Sequence, residues 1–146
     1  KEKLKNLSIK DYDEKKFRNS ICCHIRLGDF KPTINGEILN NTRIPISWYI
    51  DVINDIRRKE ENLKVYLFSD GNISELIEIL KLKNVYIETS DDPITDILKL
   101  SSSKYFIGSY SSFSFWSAFF SKADCYWHKD IFNTKEFPQN SKNHKF

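Results

Sequence analysis

Apolar positions along the chain follow two alternating rhythms. Short runs of β-branched and aromatic residues occur at about 20–26, at Leu63–Phe68, at Val85–Ile87, at Tyr105–Ile107 and at Cys125–Trp127. Each predicts a buried strand. Between them the spacing changes to three and four. Pro45, at a first-turn position, opens a helix whose stripe is Ile46, Tyr49, Ile50, Ile53 and Ile56, with Val52 beside it. Arg57, Arg58 and Lys59 suit its carboxyl end. Asn72 with Glu75 has capping-box spacing and precedes Ile73, Leu76, Ile77 and Leu80. Asp92 and Pro93 start a further helix carrying Ile94, Ile97, Leu98 and Leu100, where Asp91-Asp92 reads as a cap rather than a catalytic pair. The aromatic-rich run Phe113–Phe120 predicts a buried helix. Strand and helix alternate throughout, which argues for right-handed crossovers and an α/β fold: an open parallel sheet with helices on both faces. Residues 1–19 are charged, with Leu4, Leu7, Ile9 and Phe17 as apolar anchors, and read as a short helix or loose lead-in. Lys31–Thr42, with Pro32, Gly36 and Asn40-Asn41, reads as a polar loop.

Composition narrows this picture. At 146 residues and 40% hydrophobic, the chain suits one domain, residues 1–146, with its own core. The net charge of +3 comes largely from Lys1–Lys16 and Lys135–Lys145, where acids or Asn are interleaved. These read as solvated ends rather than as the clustered basic face that a nucleic acid needs, so no nucleic-acid partner is expected. Cys22, Cys23 and Cys125 are odd in number, and adjacent strand residues point to opposite faces, so reduced thiols and a cytoplasmic setting are expected. Peripheral attachment to a membrane stays compatible with this. No apolar run reaches the ~20 residues of a transmembrane helix, and no signal peptide is visible. The chain opens on Lys1 and contains no Met, which suggests a piece of a longer protein.

Candidate chemistry collects after the strands. His24, Arg26 and Asp29 follow the first, with Gly28 permitting a tight turn; Ser69 and Asp70 follow the second; Ser109, Ser111 and Ser112 follow the fourth. Asp96, in the helix before the fourth strand, can face the same crevice. The carboxyl ends of parallel strands are where such sheets bind ligands. An Arg there can hold a phosphate with a two-pronged fork, and hydroxyls before a helix adjoin free N–H groups suited to an anion. The plainer alternatives stay open: His24 and Arg26 as strand-end residues paired with local carboxylates, Ser111-Ser112 as an N-cap, Asp70 as a turn residue. No GxGxxG, GxxxxGK[ST] or HExxH pattern occurs, and His 3 makes no convincing metal set.

HIRLGDF at 24–30, FSDG at 68–71 and DILKLSSSKYFIGSYSSFSFWSAFFS at 96–121 together resemble the conserved blocks of α-1,2-fucosyltransferases. More broadly they resemble the superfamily that includes α-1,6- and protein O-fucosyltransferases. The resemblance implies a Rossmann-like domain, the C-terminal, donor-binding half of a B-type glycosyltransferase, with the N-terminal acceptor half lying outside this chain. It implies GDP-fucose and a glycan acceptor as partners, inverting transfer, and no metal or other cofactor. By the same resemblance Arg26 is the catalytic residue, holding the β-phosphate. His24 and Asp96 contact guanine, and Ser112, with Ser111 and Phe113, holds the diphosphate. Asp29 and Asp70 sit at acidic positions of the family that orient Arg26 and neighbouring loops. Leu27 stands where many α-1,2 enzymes carry a second Arg. A non-catalytic nucleotide- or glycan-binding module of the same fold is the alternative.

Overall fold

In the computed structural model, residues 12–33, 41–88, 92–132 and 144–145 are described. Their sheet is parallel and six-stranded: β1 (Ser20–Ile25), β2 (Lys64–Ser69), β3 (Val85–Ile87), β4 (Tyr105–Ile107), β5 (Asp124–Tyr126) and β6 (His144–Lys145), in the order β3-β2-β1-β4-β5-β6. That is the Rossmann-like, doubly wound order. β1 sits inside it, with Cys22 registered against Tyr66 on one side and Phe106 on the other. All of its residues are buried, as expected of a strand with both faces covered.

The helices are α1 (Glu14–Arg18), α2 (Ile46–Lys59), a 3-10 turn (Ile73–Leu76) running into α3 (Ile77–Leu80), α4 (Pro93–Ser101), α5 (Ser112–Phe119) and α6 (Lys129–Phe132). α2 packs with α3, while α4 packs with α5 and α1. Tyr49, Ile53 and Ile56 are the positions of α2 that reach full burial. Across the sheet, Phe17 meets Tyr66 edge-on at 5.1 Å, and Trp127 packs against Phe106 and Phe115. Phe17 and Phe106, both fully buried, each contribute about 1.5–3 kcal/mol of transfer free energy. The three cysteines are free and buried, and burial pushes the Cys22 and Cys125 thiols up to about 12. Among the described residues no helix is long and apolar enough to cross a membrane.

Three expectations need correction. The helix over 113–120 is not buried all round: Trp116 and Phe119 are 54% and 67% exposed. Its most buried positions are the small residues Ser114, Ser117 and Ala118, which let the backbone approach, while the rings of Trp116 and Phe119 are turned outward. The stripe after Asn72 splits, with Leu76 and Ile79 buried and Ile73 and Ile77 exposed, because a 3-10 turn and a four-residue helix are too short to seat them all. The basic tail, expected as a solvated end, supplies a sixth strand. Lys31 bridges Thr42 and closes the base of the polar loop, whose interior, with Leu4, Leu7, Ile9 and Asp91, lies outside the described residues.

Candidate functional site

The carboxyl ends of β1, β2 and β4 and the amino ends of α4 and α5 enclose a cavity of about 660 Å³. It lies where the strand order reverses, between β1 and β4. Of the residues singled out in the sequence, His24, Arg26, Asp70, Asp96, Ser111, Ser112 and Phe113 line it. Asp29 does not, but reaches it through Arg26. Ser69, also singled out, lines it too, and Phe30, Asn41, Phe68, Tyr110 and Phe115, which were not anticipated, complete the wall.

Arg26 leaves β1 with both arms of its fork engaged. Nη1 lies 2.6 Å from Asp70 Oδ2, Nη2 donates to Asp29 Oδ1 at 2.8 Å, and the guanidinium sits over the Phe30 ring at 5.6 Å. Asp70 is the fixed partner, since the Leu27 N–H donates to its Oδ1 at 2.8 Å. Gly28 is required for this approach, because a Cβ there would collide with Asp70 Oδ2. Burial works to raise the Asp70 carboxyl, but the N–H groups of Leu27 and Gly28 and the charge of Arg26 hold it below the usual range. Asp29, with a side chain 73% exposed, is the loose partner. Ser69, by contrast, is structural: its hydroxyl donates to Ile25 O at 2.7 Å and accepts from the Gly71 N–H. Below it, Arg43 ties the turn at Phe30 to Glu75, donating to Phe30 O at 2.7 Å and to Glu75 Oε1 at 2.5 Å.

His24 is buried against Phe113, ring centroids 4.8 Å apart. Its Nδ1 lies 2.7 Å from Ser114 Oγ, 3.1 Å from Ser109 Oγ and 3.4 Å from Ser111 Oγ. Burial drives its pKa down to about 4, with Arg26 adding to the effect and Asp70 opposing it. The ring is therefore neutral at pH 7. Ser111 is indeed the N-cap of α5, accepting from the Ser114 N–H at 3.2 Å. The cap and an anion site are compatible, because the remaining first-turn N–H groups have no intrahelical acceptor. Asp92 caps α4 by accepting from Ile94 and Thr95, which sets Asp96 in the first turn at the cavity edge. Lys99 stands 3.8 Å from Asp96 Oδ1 and 3.6 Å from Glu88 Oε2. Among the described residues no three His, Cys, Asp or Glu side chains are grouped to hold a metal ion.

A guanidinium and a helix amino end thus converge on one wall of the cavity, with an aromatic ring, a neutral imidazole and a carboxylate around them. That set can bind a polyanion attached to a flat, hydrogen-bonding ring. The family model described as glycosyl transferase family 11 matches residues 1–144. The chain belongs to glycosyl transferase family 11. This family 11 chain is also similar to an alpha-1,2-colitosyltransferase of Escherichia coli, 30% identical over 128 residues. That match covers 82% of the chain and 42% of the relative, so the chain spans less than half the length of that curated protein. The α-1,2-fucosyltransferase-like family read from the three sequence blocks is borne out.

Proposed function

We propose that this domain is the donor-binding half of an inverting, B-type fucosyltransferase that moves fucose from GDP-fucose to a glycan hydroxyl, α-1,2 to galactose. The observation that carries this reading is the convergence of Arg26 and the amino end of α5 on one cavity at the β1/β4 reversal in a family 11 chain. The acceptor hydroxyl attacks the anomeric carbon from the face opposite GDP, the bond to the β-phosphate oxygen breaks, and the acceptor proton passes to a base in the acceptor-holding half. We assign that half to the rest of a longer protein, in keeping with a relative more than twice as long. Negative charge growing on the leaving phosphate is met by Arg26 and by the N–H groups of Ser112 and Phe113, so no metal is needed for that task. Asp70 holds Arg26 in place from below, and Asp29 from the solvent side. Asp96 accepts from the adjacent N–H donors of guanine, with His24 beside it.

Calorimetry of the chain with GDP, GDP-fucose, GDP-mannose and UDP, in excess chelator, tests this. Saturable binding of the guanine nucleotides, and none of UDP, is expected. Binding that appears only when Mg²⁺ or Mn²⁺ is restored refutes the metal-independent grip, and preference for UDP refutes the donor. The colitosyltransferase relative supports a second donor, one that carries colitose on the same nucleotide. Comparing it with GDP-fucose in the same titration separates the two.

A further inference from the structure

The hydroxyls around His24 define more than its position. Three of them, from Ser109, Ser111 and Ser114, gather about one ring nitrogen, Nδ1. Two already accept backbone donors: the Ser109 N–H donates to Ser114 Oγ at 3.1 Å, and the Ser114 N–H to Ser111 Oγ at 3.2 Å. Behind them the buried Tyr49 of α2 stands beside Ser109. Each hydroxyl brings one proton that must be donated somewhere. With Nδ1 unprotonated, the cluster has a basic lone pair at its centre to receive one. With Nδ1 protonated, its N–H would compete with the Ser109 N–H for Ser114 Oγ, and the cluster would lose its basic lone pair. The positive end of α5 at Ser111 disfavours a doubly protonated ring as well.

We propose that Ser114 and Ser109 lock His24 in the tautomer that carries its proton on Nε2, so that His24 offers the cavity a donor and requires an unprotonated acceptor from its ligand. Ser114 and Ser109 are then positioning residues, acting through His24. Taken with the proposed GDP donor, on which this part rests, the acceptor is a guanine ring atom or a phosphate oxygen. In the guanine case His24 and Asp96 read complementary sets: one supplies a donor to the acceptor edge, the other accepts from the N–H edge. An adenine ring, with an amino group in place of the guanine carbonyl and a bare N1 in place of the N–H, would set donor against donor at His24 and lone pair against lone pair at Asp96.

The tautomer is read without any ligand, by ¹⁵N–¹H correlation of the histidine rings of the labelled chain at pH 7. The His24 signals are identified by their absence from His24→Gln. An unprotonated Nδ1 and a protonated Nε2 are expected in the unaltered chain, shifting toward mixed tautomers in Ser114→Ala. A protonated Nδ1, or His24 signals indifferent to Ser114→Ala, overturns the lock. Binding then tests the donor. Gln keeps an N–H near the Nε2 position and Asn moves it back toward Nδ1, so His24→Asn should bind GDP roughly fivefold more weakly than His24→Gln, the effect of one neutral hydrogen bond. Equal affinities overturn the donor role. Repeating the comparison with guanosine and with inorganic pyrophosphate finds the source: a difference with the first assigns the base, with the second the phosphate, and with neither the proposal fails. Absence of GDP binding in every form, with the tautomer intact, would refute the proposed function and leave the lock standing.

Discussion

Acidification should destabilise this protein before its carboxylates are protonated, and His24 is the main reason. In the unfolded chain its imidazole takes a proton near 6.5; in the fold, burial lowers that to about 4. Between those values the unfolded state holds a proton that the folded state refuses, so stability falls as pH falls and levels off near 4. His128, lowered by burial against the pull of Asp130, adds in the same direction. Asp70, held low, loses its contribution only further down. At 1.36 kcal/mol per unit, His24 accounts for about 2.5 kcal/mol between pH 7.5 and 4.5. That is a large share of the ~5–15 kcal/mol typical of a domain. Urea unfolding followed by tryptophan fluorescence at half-unit pH steps measures it, with His24→Gln as the comparison. The variant should lose about 2.5 kcal/mol less than the unaltered chain over this window. Superimposable pH profiles would show that His24 titrates normally in the fold, and would refute the reasoning.

Other consequences follow from the same geometry. Arg26→Lys keeps the charge but cannot span Asp29, Asp70 and a phosphate at once, so GDP affinity should fall roughly 10- to 150-fold by calorimetry; unchanged affinity removes Arg26 as the phosphate ligand. Asp96→Asn should weaken GDP roughly 5- to 150-fold and inosine diphosphate less, since the latter lacks the exocyclic amine; equal losses would mean that Asp96 does not read that edge. Gly108→Ala would press a methyl into the buried Trp127 ring, 2.8 Å from Cη2, and should cost about 1–3 kcal/mol in the urea midpoint at pH 7, whereas an unshifted midpoint would show that the ring yields freely.

Much of the architecture was legible because a parallel sheet leaves a simple signature. β1, β2 and β4 are short apolar runs, and whatever follows each of them must emerge at the same end of the sheet. His24, Arg26, Asp70 and Ser111 could therefore be grouped without knowing one distance. What the sequence did not disclose depends on neighbours that are remote along the chain. Ser109 was grouped with the hydroxyls after β4 and Ser114 was not singled out; their place around His24 depends on β4 pairing with β1. Asn41 and Phe30 join the wall because Arg43 draws their loop toward Glu75. The outward turn of Trp116 and Phe119 was hidden by composition, since an aromatic run suggests burial whichever residues actually meet the sheet. β6 escaped because two residues in a basic tail carry no periodicity at all.

The central place of β1 also bears on how the chain is made. Its partner on one side is β2, and on the other β4, which leaves the ribosome about 80 residues later. At ~5–20 residues per second, the far edge of β1 waits about 4–16 s for its mate. During that interval a strand buried on every residue in the finished protein, SICCHI, is open along one side. Two soft sulfurs and an aggregation-prone edge are then unprotected together. The nascent chain is accordingly the state most exposed to oxidants and to unwanted strand pairing, and the mature fold, whose thiols are sealed and unreactive, keeps no trace of that hazard.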